Sequence, residues 1–287
     1  MKTTFKFAAL GAVALAASST AALAGSQTPP GLSAGIPLAA PLPVGVYDLS
    51  IGLVQQNNPT GGLEAALPVW LIWSTPYQIA GGRIQLDGTM PYANIDTTTW
   101  NLAHPGAGAG PQGFQNGLTN ASIHWNLGNG FNFGESVGAY WASDSALADP
   151  KTRFMGHTDV AYIAGGWVLA ANFIYGEGDS SANNPAYLNY DLSVVRKFGK
   201  FEAGVVAFGS TDLDNEIVGK SLAGAPISGK QSQFAVGGLV GYDFGSFSGN
   251  VKVTQDVSEE NYGYKNTSLW LTIVKPLWSP AAEGPLK

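Results

Sequence analysis

Beyond residue 44 the chain breaks into short segments in which apolar residues take every second position. This period of two constrains the fold more than any other feature. Tyr47, Leu49, Ile51 and Leu53 alternate with Asp48, Ser50 and Gly52; Ile84, Leu86 and Met90 alternate with Arg83, Gln85, Asp87 and Thr89. The pattern returns with Ala121, Ile123 and Trp125 against Asn120, Ser122 and His124, and with Val160 and Tyr162 against His157 and Asp159. It returns again with Leu188, Tyr190, Leu192 and Val194 against Asn189, Asp191 and Ser193. A last instance sets Phe247, Val251 and Val253 against Ser248, Asn250, Lys252, Thr254 and Asp256. Successive side chains of a strand point to opposite faces, so each segment predicts a strand with one apolar and one polar face.

The connections add a second constraint. Short turns fall near 75–81, 127–130, 165–166, 198–200 and 243–246; longer polar loops fall near 57–62, 97–116, 143–155, 177–185, 211–230 and 257–263. Short and long connections alternate strictly, which predicts twelve strands with both ends on the short-turn side. The expected fold is all-β: an antiparallel transmembrane β-barrel of about twelve strands in the bacterial outer membrane. Its turns and both termini would be periplasmic, its long loops external, its lumen polar and its outer face in lipid. Closure is required because unpaired backbone groups in hydrocarbon are costly.

Composition agrees with this reading. Charged residues make up 12% of the 287, about half the usual share of a soluble domain, and strand faces in contact with lipid explain the deficit. A secreted β-sandwich would alternate in the same way but would carry an ordinary charged surface. The 38 glycines and 17 prolines disfavour a helical bundle, and the absence of cysteine excludes disulfides, thiolate metal sites and a cysteine nucleophile. A net charge of −6 disfavours a nucleic-acid partner. Tyr and Trp gather at segment ends (Trp70, Trp73, Tyr77, Trp125, Tyr140, Trp141, Trp167, Tyr175, Tyr187, Tyr242, Trp270 and Trp278), where interfacial girdles belong.

The N-terminus reads as an export signal: Lys2 and Lys6, an apolar run from Phe7 to Ala17, and Ala22-Leu23-Ala24 as a small-x-small cleavage site. The expected organisation is a signal peptide over 1–24, a Pro/Gly-rich lead-in over 25–43 that is a candidate lumen plug, a barrel over 44–278, and a tail over 279–287. Cleavage would remove two lysines and leave a more acidic chain. Glu135 falls on the apolar phase of Phe131, Phe133 and Val137, which implies an interfacial position or a bulge. Pro68, Pro91 and Pro276 fall within strands, where strand ends or bulges would tolerate them.

Motifs of catalysis are missing: neither H-E-x-x-H nor G-x-S-x-G occurs, and no metal or other cofactor is expected. Of three histidines, His104 lies in a loop while His124 and His157 take the polar phase. His157 and Asp159 share one ladder, either as a titrating pair or as polar packing, with no nucleophile placed beside them. The candidate lumen lining is Asp48, Arg83, Asp87, His124, His157, Asp159, Asp191, Lys252 and Asp256. Carboxylates outnumber cations there, which would disfavour anions in a passage; cross-strand pairing in a filled lumen is the other reading. Asp212, Asp214, Asn215 and Glu216 fit no calcium loop and read as a solvated turn.

Several segments carry a resemblance. Pro41–Tyr47 (PLPVGVY), Leu67–Trp70 followed by Pro91-Tyr92, Gly117–Ser122 (GLTNAS), Phe198–Val205, Gln233–Tyr242 and the closing Thr267–Trp278 are similar to the meta-pathway phenol-degradation (SphA-like) family of outer-membrane β-barrels. Asn120 stands where that family usually has Asp. The resemblance implies a barrel that helps small hydrophobic or aromatic compounds cross the outer membrane, with lipid and such a solute as partners and no catalytic residues. The alternatives are a structural or adhesive barrel with a filled lumen, and an outer-membrane enzyme. Oligomeric state is not legible.

Overall fold

The structure, a computed structural model, describes residues 26–58, 62–67, 69–95, 112–145, 147–178, 184–214, 218–220 and 226–280. The expected signal peptide, His104, Asn215, Glu216 and residues 281–287 of the tail lie outside the described residues.

The strand segments are β1 Gly45–Asn58, β2 Gly62–Leu67, β3 Trp70–Ile79, β4 Gly82–Thr89, β5 Tyr92–Ile95, β6 Gln112–Phe114, β7 Leu118–Gly128 and β8 Phe131–Tyr140. They continue as β9 Arg153–Ala164, β10 Trp167–Gly176, β11 Tyr187–Phe198, β12 Phe201–Asp212, β13 Val218–Lys220, β14 Pro226–Ser228, β15 Ser232–Asp243, β16 Ser248–Glu260 and β17 Lys265–Trp278. Neighbours pair antiparallel in the order β17-β16-β15-β12-β11-β10-β9-β8-β7-β4-β3-β1, and β1 closes on β17 from Val46 opposite Trp278 to Asn58 opposite Lys265. β2 continues the stave of β3 along the far part of β1, β5 continues β4, and β6 continues β7. Counted as staves, the closed barrel has twelve, as the connections predicted. β13 and β14 form a separate hairpin in the loop after β12.

Local chemistry explains the turns and breaks. Asn129-Gly130 and Gly165-Gly166 have positive φ at both central residues, 51° and 87°, then 58° and 80°. That conformation matches strand twist in a two-residue hairpin, and glycine and asparagine adopt it at least cost. Pro91 interrupts the stave of β4 and β5, since it has no N–H for the ladder; its carbonyl still accepts from Gln115 N at 2.9 Å. Pro276 stays within β17 opposite Tyr47, beside a register shift at Val46/Tyr47.

The outer face is an apolar band: Val137 is 70% exposed, and Phe154, Val205, Val240, Leu269 and Leu271 also point outward. Glu135 is on this face, at the fifth position of ten-residue β8 and in unbroken register with β9, so no bulge turns it inward. Both its oxygens accept from Thr158 Oγ1, at 3.1 and 3.0 Å.

Two assignments are corrected. In β1 the apolar residues Tyr47, Leu49, Ile51 and Leu53 face inward and are buried, which puts Asp48 on the outer face opposite Leu71 and Lys275. Asp48 therefore does not line the lumen. The aromatic set also divides: Trp73, Tyr77, Trp141, Trp167, Tyr175 and Trp278 are exposed outside, whereas Trp70, Tyr140, Tyr187 and Trp270 are buried. One cause accounts for both. Residues 26–44 sit in the lumen and bring Leu32 into a cluster with Leu49, Ile51, Leu53, Trp70 and Trp270, with Ile36 packed against it. An apolar plug makes apolar inner faces favourable.

Candidate functional site

The lead-in runs through the lumen from the long-loop end to the short-turn end. Near the long loops Asn189 Nδ2 donates to Ser26 Oγ and Thr28 O, both at 2.8 Å. Thr28 Oγ1 lies 2.7 Å from the Tyr140 hydroxyl. Near the short turns Ser74 Oγ donates to Leu42 O at 2.8 Å and Tyr47 OH to Pro43 O at 2.9 Å. The barrel itself begins and ends at the short-turn end, but the described chain starts near the other.

Mid-lumen, two opposite charges clamp one glycine. The Asp191 carboxylate accepts from Gly31 N at 2.9 Å, Ser33 N at 2.9 Å and Ser33 Oγ at 2.7 Å. Lys252 Nζ donates to Gly31 O at 2.5 Å and Ala34 O at 2.9 Å, and lies 4.5 Å from the Trp270 ring centroid. Both side chains are fully buried. Groups this dry need several strong partners, and the plug backbone supplies them. Gly31 has φ of +86°, and a Cβ there would meet the Phe208 ring at 2.5 Å, so only glycine fits. Asn172 completes the hold, its Nδ2 donating to Ser33 Oγ at 3.0 Å and Ile36 O at 3.1 Å.

These polar anchors stand mostly on β10, β11 and β16, whereas the opposite wall meets the plug mainly through apolar contacts of Leu32 and Ile36. Two spaces remain between plug and wall on that side. A small apolar cavity of about 30 Å³ lies toward the long loops between Pro29, Leu32, Leu53, Leu118, Tyr140 and Trp270. A larger one of about 100 Å³ lies beside plug residues Ile36–Leu42. Trp70 borders both, its Nε1 donating to Asp87 Oδ1 at 2.8 Å. The larger cavity is two-sided. Leu38, Leu42, Leu49, Ile72 and Val274 make one wall; Gln85, Asp87, Ser122, His124 and His157 make the other.

The nine lumen candidates thus fall into separate places. Asp87, His124 and His157 line the larger cavity, with Asp159 behind His157 at 2.5 Å from its Nδ1. Asp191 and Lys252 hold the plug. Arg83 donates from Nη1 to Thr75 O at 3.0 Å, and Asp256 accepts from Asn266 N at 2.8 Å, tying β16 to β17. Asp48 is outside. The sequence reading missed Trp70, Asn172 and Trp270 as lumen groups and had Asn189 on the polar phase without naming it as lining; a lone asparagine at the inward phase of apolar β10 was the available signal for Asn172.

The described residues contain no group of three or more His, Asp or Glu able to hold a metal ion. Asp212 and Asp214 instead accept from the backbone N–H groups of Gln231 and Ala186, at 2.8 and 2.9 Å.

No curated protein sequence matches the chain. The COG4313 outer membrane channel from Pseudomonas putida F1 is similar in structure, with a TM-score of 0.59 and 14% identity over 82% of this chain and 96% of that one. The CymD monoaromatic hydrocarbon channel gives 0.48 and 8% over 83% and 90%, and outer membrane phospholipase A from Escherichia coli gives 0.40 and 12% over 82% and 98%. The first of these shows the fold, and with the apolar outer band it makes this chain an outer-membrane β-barrel. A family model described as "Putative MetA-pathway of phenol degradation" spans residues 45–273, nearly the whole barrel without its plug, and the chain belongs to that family.

Proposed function

We propose that the barrel is a channel for small hydrophobic or aromatic compounds, which pass along the side of the lumen that the plug leaves free. The observation that carries this is the pair of cavities on either side of Trp70, apolar on the β1 side and walled by plug residues. Family membership supports it, as does the description of the Pseudomonas putida structure as an outer membrane channel. In this reading the short turns face the periplasm and the long loops capture solute.

Catalysis is disfavoured by how the polar groups are divided. Ser122 Oγ is 2.8 Å from His124 Nε2, but His124 has no carboxylate on Nδ1. His157 has the carboxylate of Asp159, but no serine hydrogen-bonds to it among the described residues. A nucleophile, its base and the group that orients the base must form one chain, and here they do not.

Small apolar solutes cross phospholipid unaided, so the test belongs in cells with an intact outer membrane. Cells expressing the chain should take up radiolabelled toluene several-fold faster than cells without it. Equal uptake, with the barrel shown to be folded by its heat-dependent migration in SDS gels, would sink the channel reading and leave a filled structural barrel.

A further inference from the structure

The long-loop end of the lumen carries oxygens that neither the wall nor the plug satisfies. Asn189 Oδ1, Ser210 Oγ, Asp212 Oδ1, Gln231 Oε1 and Gln233 Oε1 have no hydrogen-bond partner among the described residues. None of these five residues is more than 5% exposed. Buried acceptors are costly to leave unpaired, so five of them in one place point to a ligand.

Strand register brings them together. Asn189 on β11 lies opposite Ser210 on β12, and Ser210 lies opposite Gln233 on β15. At the next inward-facing rung Asp212 N donates to Gln231 O at 2.9 Å, and Gln231 N donates to Asp212 Oδ2 at 2.8 Å. Side chains opposite one another on one face stand about 5 Å apart, and those two residues along a strand about 7 Å, so the five oxygens border one space. Two of the amides cannot turn. Asn189 Nδ2 already donates to Ser26 Oγ and Thr28 O, and Gln231 Nε2 donates to Asn261 O at 3.0 Å, so each has only its oxygen free. Nor do the oxygens satisfy one another. A proton shared between Asp212 Oδ1 and either glutamine would pair two of these atoms, and all three stand unpaired.

The donor set is one carboxylate, three amide oxygens and a hydroxyl, with no nitrogen or sulfur, which suits a hard cation. The strand ends beside these residues carry Asp214, Asp256, Glu259 and Glu260 against Lys230 and Lys265, a balance that favours positive charge. Calcium takes about six to eight carboxylate, amide and water oxygens in flexible geometry, whereas magnesium demands a tight octahedron and keeps its waters. We infer that Asn189, Ser210, Asp212, Gln231 and Gln233 form a calcium site at the long-loop mouth of the barrel. Asp212 supplies the charge and the neutral oxygens supply the fit. The site adjoins the start of the plug, since Asn189 also holds Ser26 and Thr28.

The test is equilibrium dialysis of the full chain, in detergent and stripped with EDTA, against radiolabelled calcium. The wild-type protein should hold one ion with half-saturation at about 0.1–1 mM, the range of extracellular calcium modules. An equal concentration of magnesium should displace little of it. Asp212→Asn keeps an acceptor for Gln231 N but removes the charge, and should weaken binding by about tenfold or more. Gln233→Leu removes a side chain that makes no hydrogen bond among the described residues, and should weaken binding several-fold even if the first variant fails to fold. Glu260→Gln, an exposed carboxylate at the same end, should bind as the wild type does. No bound ion in the wild type would mean that water alone meets these oxygens, and overturns the site. So does calcium that magnesium displaces at equal concentration, binding that Glu260→Gln lowers as much as Asp212→Asn, or full binding in a folded Gln233→Leu barrel.

Discussion

Lys252→Met is the sharpest perturbation of the plug. The ammonium is 1% exposed and donates two bonds, at 2.5 and 2.9 Å, to the carbonyls of Gly31 and Ala34. Bonds from a charged donor contribute about 1.5–3 kcal/mol each, so the gross hold is about 3–6 kcal/mol. Some of this is offset because the ammonium no longer has to leave water. Methionine fills similar volume but leaves both carbonyls without a donor and Asp191 without its nearby cation. The net effect is about 2–4 kcal/mol against the seated plug, and at about 1.4 kcal/mol per decade the displaced state rises roughly 30- to 1,000-fold. The chain has no cysteine, so Ala34→Cys gives a single reporter at a buried plug position whose side chain takes no part in the hydrogen bonds to the wall. Its labelling by a small thiol reagent should accelerate by at least thirtyfold when Lys252→Met is added, and single channels in planar bilayers should conduct more. A labelling rate within twofold of the Lys252 background, in a barrel still folded by gel shift, would refute this account of how the plug is held.

Other outcomes follow from single contacts. Glu135→Val should raise the temperature at which the barrel unfolds in SDS, by about 1 kcal/mol of stability, because a carboxylate mid-wall on the lipid face costs more than its bonds to Thr158 return; a lower temperature would count against the lipid-facing placement. Gly31→Ala should free the plug as Lys252→Met does, since the new methyl group meets Phe208 and φ is +86°; a wild-type conductance would contradict it. Trp70→Ala should join the two cavities and speed toluene uptake, measured in cells against the parent barrel; slower uptake would mean that the indole guides solute rather than restricting it.

Much of the barrel was legible because its constraints are local. Alternation is set by strand geometry, and positive-φ turns demand residues such as Asn129-Gly130, so strand number and connection order could be read directly. The inward phases of Asp87, His124, Asp159, Asp191 and Lys252 were legible for a related reason: each faces other polar groups or plug backbone, and the residues between them face lipid. Alternation divides a strand into two faces without saying which is inside. A polar-in rule decides correctly only where the lumen is polar, and in β1 it failed because Leu32 and Ile36 bring an apolar surface to meet Leu49, Ile51 and Leu53.

The plug was the harder object. Nothing in Ser26–Pro43 is periodic; its order comes from outside, from Asn172, Asn189, Asp191 and Lys252, spread over more than 80 residues and three strands. Its position also follows from the match between donors and acceptors. A segment with few side-chain donors and with Gly31 in a left-handed conformation presents bare amides and carbonyls, and the wall answers with one carboxylate, one ammonium and two carboxamides. The family match begins at residue 45, so the wall residues that hold the plug lie inside the shared barrel while the plug lies outside it. The free side of the lumen is then a joint product of both. Replacing the lead-in with a Gly/Ser stretch of equal length should leave the barrel foldable, because its strand pairs close without the plug, yet should change the rate of toluene uptake, because Leu38 and Leu42 wall the larger cavity. Toluene uptake unchanged from the parent barrel in that chimera would place the passage in the barrel wall alone.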